Sequence, residues 1–378
     1  MITRIHCGEP GRGPVDLIAD WLAGRPGVAR TEASDRVIAF TRFGREAIAL
    51  AMSSWRVGPN DEVLVPAYNC GSEVSPILAT GARVIMYRVD GHAQIDLDDL
   101  RGKLSSRTKA VCVVHYFGRM AEIAELAAHC RASGIRLIED CALSLFSAGV
   151  GSLGDAAIFS LRKTLPVADG GILAIRPEGG EPLPARRGPS LLMSARGAAS
   201  LLARWTGWRL AAPSAFIGAV EKSTRSSDPL PDIPPSYYYP SGKPVIGASR
   251  LARGIMNRVD TAHVVDQRRS NYEALWQGLE GVKGVDPLWA EPALRPGECP
   301  LGVPMLVDDK KLWVQRLNAA GIVVSPWWAG FHRGLAWGEF PDAVRLKQRL
   351  ILLPVHQSLS AADMGYVAAS VRRIAKVL

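Results

Sequence analysis

The sequence predicts an α/β protein with a seven-stranded, mostly parallel sheet and a smaller C-terminal α/β domain. Three observations carry this. Between about residues 36 and 176, short β-rich apolar runs alternate with segments of helical period, as strands and helices wound on a parallel sheet do. The rhythm breaks from about 177 to 243, a stretch rich in Pro, Gly, Arg and Ser. A long helical segment and a second, smaller alternation then follow, ending in ILLPV and a terminal helix.

The strand runs are Val37 to Phe40, Glu62 to Pro66, Arg83 to Tyr87, Ala110 to His115, Arg136 to Glu139, Ala156 to Ser160 and Gly171 to Ile175. Most are nearly continuous in apolar residues, as strands covered on both faces are. Arg45 to Ser54, Ser72 to Thr80, Leu97 to Leu104 and Met120 to Ala132 read as the helices between them, several opened by Gly, Ser or Asp and closed near Gly. Ala248 to Leu279 reads as one long helix and Ala361 to Leu378 as the last. With 378 residues the chain exceeds one simple core. The expected division is an N-terminal segment at 1–35, a large domain at 36–245 with an apolar insertion at about 185–225, and a small domain at 246–378.

Composition narrows the class. Forty-five Lys+Arg against 36 Asp+Glu give a formal charge of +9, spread along the chain and not interleaved with aromatics, so nucleic acid is not the predicted partner. The six cysteines form no CxxC pair and have no His at metal-ligand spacing, so neither a zinc site nor a disulfide framework is indicated. The start, MITRIHCGEPGRGPVD, lacks the apolar core of a secretory signal, and no charge-free run of eighteen or more apolar residues occurs. A cytoplasmic protein with reduced thiols is expected.

In an open parallel sheet, ligands collect where strands end and helices begin. Four such ends are chemically loaded. In TRFGREAIALAM, Gly44 and Arg45 open a helix whose free N–H groups and dipole suit a phosphate, although a glycine that only makes the turn reads the same. In VLVPAYNCGSEV, Tyr68 or the soft sulfur of Cys70 offers a stacking face for a flat ring; core packing is the alternative. LIEDCALS ends a strand in Glu139 and Asp140, and a carboxylate buried there needs a cationic partner or serves as a helix cap. SLRKTLPVADGG carries Lys163 in a short loop, where desolvation would lower its pKa towards that of a nucleophilic amine, with Ser160 and Arg162 beside it for a phosphate; a solvated surface lysine is the alternative. Singly, none decides. Together, an anchoring turn, a stacking loop, a carboxylate and a lysine are what pyridoxal 5'-phosphate chemistry demands: the phosphate fixes the cofactor, the carboxylate keeps the pyridine nitrogen protonated, and the lysine holds the aldehyde and moves protons.

With these residues in place the sequence resembles the DegT-type (DegT/DnrJ/StrS) sugar aminotransferases of the aspartate-aminotransferase fold, PLP fold type I. The resemblance rests on VGPNDEVLVPAYNC, ILATGARVIMYRVD, IDLDDLRGKLSSRTKAVCVVHYFG, the IEDCA strand end, GSLGDAAIFSLRKTLPVADGGIL and ILLPVHQSLSAADMGYV. It implies that Lys163 binds the cofactor aldehyde, that Asp140 pairs with the pyridine nitrogen, that Gly44, Arg45 and Ser160 lie around the phosphate, and that His115 lies near the cofactor. It further implies a homodimer in which each site borrows residues of its neighbour, Ser241 falling in that shared motif.

The chain departs from the family at several places. Leu143 stands where Gln is usual, Cys70 at the aromatic stacking position, and Ser241 and Lys243 where Asn and Arg are expected; the segment before the lysine is about two residues short. The expected reaction is transfer of an amino group from a donor such as glutamate to a keto group, foremost on a nucleotide-linked sugar. A PLP-dependent dehydratase, an aminotransferase acting on a non-sugar or lipid-linked ketone, and a non-catalytic PLP-binding regulator remain as alternatives. Two further features stand apart. The insertion, with Leu191, Leu192, Leu201, Leu202, Trp205, Trp208 and Leu210 among Arg196, Arg204 and Arg209, reads as a lid or dimer contact, or as an amphipathic pair on a membrane surface. Trp327, Trp328 and His332 in SPWWAGFHRG read as a substrate mouth or as ordinary packing.

Overall fold

The structure, a computed structural model, describes residues 14–23, 36–176, 183, 186–209, 230–240, 242–328 and 330–378. Seven strands, β1 (Val37–Thr41), β2 (Glu62–Pro66), β3 (Arg83–Tyr87), β4 (Thr108–Val114), β5 (Arg136–Asp140), β6 (Ala156–Ser160) and β7 (Gly171–Ile175), make one sheet in the order β1-β7-β6-β5-β4-β2-β3. The pairs β3-β2, β2-β4, β4-β5 and β5-β6 are parallel, whereas β7 runs antiparallel to both β6 and β1. All seven runs read from the sequence are strands, because each is bounded by turn chemistry and too short for a helix. Asp140 lies opposite Val114 and Ile158, and Ser160 opposite Gly171, so the chemically loaded ends of β4, β5 and β6 stand side by side.

The helices are α1 (Pro14–Ala23), α2 (Gly44–Ser54), α3 (Val74–Leu78), α4 (Leu97–Gly102), α5 (Ala124–Ala132), α6 (Leu191–Arg209), α7 (Arg250–Arg258), α8 (Thr261–Leu279), α9 (Lys310–Ala319), α10 (Pro341–Arg349) and α11 (Ala361–Ala375). Besides shifts of up to three residues at the ends of others, three differ from the sequence reading. The long helix expected from Ala248 to Leu279 is two, because Asp260 turns extended and caps α8 by accepting the His263 N–H at 3.0 Å. The segment expected to be helical from Met120 begins only at Ala124, since the Ala121 N–H is spent on the His115 ring. The helix expected from Ser72 to Thr80 shrinks to α3, the Glu73 side chain being committed to the Cys70 N–H before it.

Four antiparallel strands, β8 (Val285–Pro287), β9 (Gly302–Val307), β10 (Ser325–Pro326) and β11 (Leu350–Pro354), form a second sheet in the order β10-β11-β9-β8. Tyr272 and Leu275 of α8 join Val303, Met305, Ile351 and Leu353 in its core. The two units meet at Gly118, whose φ of +100° and missing side chain let Cys299 lie directly on it. Of the insertion, Leu201 on α6 is fully buried in a cluster with Leu161, Leu165, Ala252 and Ile255, while Leu191 and Leu192 are exposed. Leu210 and residues 211–229 lie outside the described residues. No helix among the described residues is long and apolar enough to cross a membrane.

Candidate functional site

After Ser160 the chain makes a single 3-10 turn, Leu161–Lys163, at the end of β6. It is held from the far side by Arg268 of α8, which is buried and donates to the carbonyls of Thr164, Pro300 and Leu301 and, at 2.6 Å, to Gln357 Oε1. Gln357 Nε2 also donates to the Thr164 carbonyl. The turn therefore aims Lys163 inward, where its ammonium lies 4.1 Å from the centre of the Trp327 ring. Burial, opposed by Cys70 and reinforced by Arg162, lowers its pKa to about 8.

Asp140, the last residue of β5, is buried and accepts the Ala142 N–H at 2.9 Å. Burial and the charge of Glu73 raise its carboxyl to about 7, against the pull of Lys163. Glu139 points to the opposite face, as successive strand residues must. There it accepts His115 Nε2 at 2.9 Å and the N–H groups of Gly151, Leu153 and Gly154. The His115 ring, expected near the cofactor, is thus turned away from Asp140; its Nδ1 accepts the Ala121 N–H at 3.0 Å, and the pair braces the sheet. Cys141 approaches these two, yet with Glu139 saturated by N–H donors and both His115 nitrogens engaged the trio offers no free ligand set for a metal. Ser144, which follows Leu143, donates to the His115 carbonyl at 2.7 Å.

The loop after β2 is also corrected. Tyr68 is fully buried, its ring centre 4.7 Å from Trp328 and 5.3 Å from Tyr116, so protein rings take up the stacking face assigned to it. Its hydroxyl is buried without a partner. Cys70 lies in the site, but its thiol donates to Glu73 Oε2 at 2.8 Å and is pushed up to about 12 by burial and by Glu73; it stays a neutral sulfur. Trp327 and Trp328, read as a substrate mouth or as ordinary packing, are buried in the core cluster, with Trp327 over the Lys163 amine. His332 follows them, its Nε2 buried without a partner and its ring 4.7 Å from that of Tyr238.

At the other end, Gly44 is the first residue of α2, and Glu46 caps it by accepting the Phe43 N–H at 3.2 Å. Gly171 lacks a side chain where one would overlap the Phe43 carbonyl, which seats the start of α2 against the end of β6. Gly44 lies against Ile158 and the Phe159 carbonyl of β6. Arg45 is partly buried, and its Nε has no partner. Ser241 lies outside the described residues. The sequence reading missed Glu73, Arg268 and Lys347. Nothing local marks Arg268, whereas Glu73, three residues after Cys70, is a carboxylate directly before a helix.

The arrangement fits pyridoxal phosphate. A buried carboxyl raised to about 7 calls for a cation such as a protonated ring nitrogen, and an amine at about 8 is poised for a carbonyl. A helix start with unpartnered cationic groups calls for a phosphate.

Residues 32–179 match the sequence model of the DegT/DnrJ/EryC1/StrS aminotransferase family. The chain is 34% identical over 137 residues to the GDP-perosamine synthase of Vibrio cholerae, which covers 34% of this chain and 37% of that protein. It is 33% identical over 142 residues to a dTDP-4-dehydro-2,3,6-trideoxy-D-glucose 4-aminotransferase of Saccharopolyspora spinosa, covering 36% and 37%. These matches thus span little more than a third of either relative. Along nearly its whole length the chain shares the fold of the putative sugar aminotransferase Spr1654 of Streptococcus pneumoniae in its PMP form: TM-score 0.70, 18% identity, 98% of this chain and 99% of that one.

Proposed function

From residues 32–179, of the DegT/DnrJ/EryC1/StrS type, on a chain folded throughout like a sugar aminotransferase, we propose a pyridoxal-phosphate-dependent aminotransferase that moves an amino group from an amino-acid donor, foremost glutamate, to a keto group on a nucleotide-linked sugar. The observation that carries this reading is Lys163, an amine lowered to about 8 in the same buried site as Asp140. The nucleotide sugar is read from the relatives' names, a GDP-perosamine synthase and a dTDP-sugar aminotransferase.

When bound, pyridoxal phosphate supplies a carbonyl for amino groups and a ring that draws off electrons. Lys163 would hold that carbonyl and, once displaced by the donor amine, carry the proton between the two carbons that exchange it; a pKa of about 8 gives it both protonation states near neutral pH. Asp140 would keep the ring nitrogen protonated. Gly44, Arg45 and Ser160 would hold the phosphate. Trp327 covers the Lys163 amine on one side, which strengthens the charge interactions there. The reading includes a cytoplasmic homodimer with the large cofactor-binding domain at 36–245 and the smaller one at 246–378.

Borohydride reduction of the cofactor-loaded protein followed by peptide mass analysis tests the assignment: the coenzyme mass should sit on Lys163, and Lys163→Ala should lose it. Coenzyme found on another lysine, or none bound, would overturn the reading. A panel of nucleotide-linked keto sugars with glutamate then decides the acceptor.

A further inference from the structure

Phe43, between the end of β1 and the start of α2, is ringed by arginines. The guanidinium carbons of Arg42, Arg45 and Arg162 lie 4.7, 4.6 and 4.6 Å from the centre of its ring. Among the described residues, none of the three is in an ion pair, and Arg45 Nε is buried with no hydrogen bond. The carboxyls around them are committed to backbone N–H groups: Glu46 accepts from Phe43, and Asp169 accepts from Ser249 at 2.9 Å. Arg204, the fourth guanidinium acting on Arg162, donates to the Val167 carbonyl. The Gly44 and Arg45 N–H groups, two of the orphans of a helix start, have no protein acceptor among the described residues.

Three guanidiniums gathered on one ring outnumber the two carboxylates near them, Glu46 and Asp169, and a bound anion relieves the remaining repulsion. The ring fixes the fan of guanidiniums through its π faces, and the helix start adds two N–H donors. Arg162 sits one residue before Lys163, so an anion held here lies beside the amine.

We propose that Arg42, Arg45 and Arg162, fanned on Phe43, form a phosphate clamp, which makes cofactor binding depend on the phosphate more than on the ring. This rests on the reading of Lys163 as the cofactor lysine, but its anion chemistry stands apart from it. Phe43 is a positioning residue and the arginines are ligands.

The test uses the cofactor-stripped full chain. Inorganic phosphate is titrated by calorimetry into the wild type, Arg162→Gln, Arg42→Gln and Phe43→Leu, and pyridoxal phosphate and pyridoxal are titrated by absorbance. The wild type should bind phosphate, and each arginine variant should bind phosphate and pyridoxal phosphate about ten- to a hundredfold more weakly while binding pyridoxal unchanged. Arg162→Lys should recover part of the loss, and Phe43→Leu should weaken phosphate binding with all three charges kept. Unchanged phosphate affinity in Arg162→Gln and Arg42→Gln, or an equal loss for pyridoxal, would overturn the clamp. Equal ligand-free melting temperatures show that a variant is folded; a variant that fails to fold is replaced by Arg→Lys at that position. If phosphate binds and is lost as expected while pyridoxal phosphate never links to Lys163, the clamp stands and the enzymatic reading falls; the converse result removes the clamp alone.

Discussion

At the scale of single residues, the site is governed by burial acting on opposite charges. Asp140 is raised and Lys163 lowered by the same loss of water, so the two approach each other in proton affinity. Asp140→Asn should retain the cofactor link to Lys163 and lose about a hundredfold or more in the rate of amino transfer, measured in single turnovers, because a neutral amide no longer sustains ring protonation. Glu139 behaves in the other direction. Burial alone would raise it, but hydrogen bonds from His115, Gly154 and Gly151 outweigh that and hold it below the ordinary carboxylate value. Its contribution to stability is therefore present above that value and lost as pH falls through the folded-state one. Glu139→Gln should lower stability by about 3 kcal/mol in chemical denaturation at neutral pH, and the gap from wild type should close in acid.

At the scale of elements, the loop after β10 is pinned by two buried ammonium groups. Lys310 donates to the Trp327 carbonyl at 3.0 Å and the Lys347 carbonyl at 2.6 Å, and Lys347 donates to the Gly330 carbonyl at 2.9 Å. Burial lowers Lys310 to about 7 and Lys347 to about 8. Both are below the unfolded value, so the fold binds fewer protons than the unfolded chain between those pH values and about 10.5. Stability of the cofactor-free protein should therefore rise with pH across that window, and Lys310→Met should flatten the rise in urea midpoints measured from pH 7 to 10; an unchanged slope would mean that the ammonium is not buried. The break between α7 and α8 rests on a cap, and Asp260→Ala should cost about 1 kcal/mol in thermal unfolding.

At the scale of the whole molecule, the second unit reaches across to the turn that carries Lys163. Arg268 and Gln357 hold its turn, and Trp327 covers its amine. The contact between units is tightest at Gly118, with Ser147 Oγ donating to the Gly118 carbonyl at 2.6 Å and accepting the Cys299 N–H at 2.9 Å. Gly118→Ala would drive a methyl group into the Cys299 backbone at a positive φ. It should cost about 2 kcal/mol or more in melting and weaken cofactor binding together with it, both measured on one preparation.

The strands were legible because their apolar periodicity and turn residues belong to near neighbours in the chain; Glu62–Pro66, Arg83–Tyr87, Ala156–Ser160 and Gly171–Ile175 run as read. The strand ends that carry Asp140 and Lys163 were legible because the ends of a parallel sheet face one edge. What the tertiary structure alone decided is which way side chains turn and what covers them: His115 towards Glu139, Tyr68 into an aromatic stack, Cys70 onto Glu73, and Trp327 over an amine 164 residues before it in the chain. Desolvation and electrostatics depend on atoms distant in sequence but adjacent in space, and no local pattern encodes those distances.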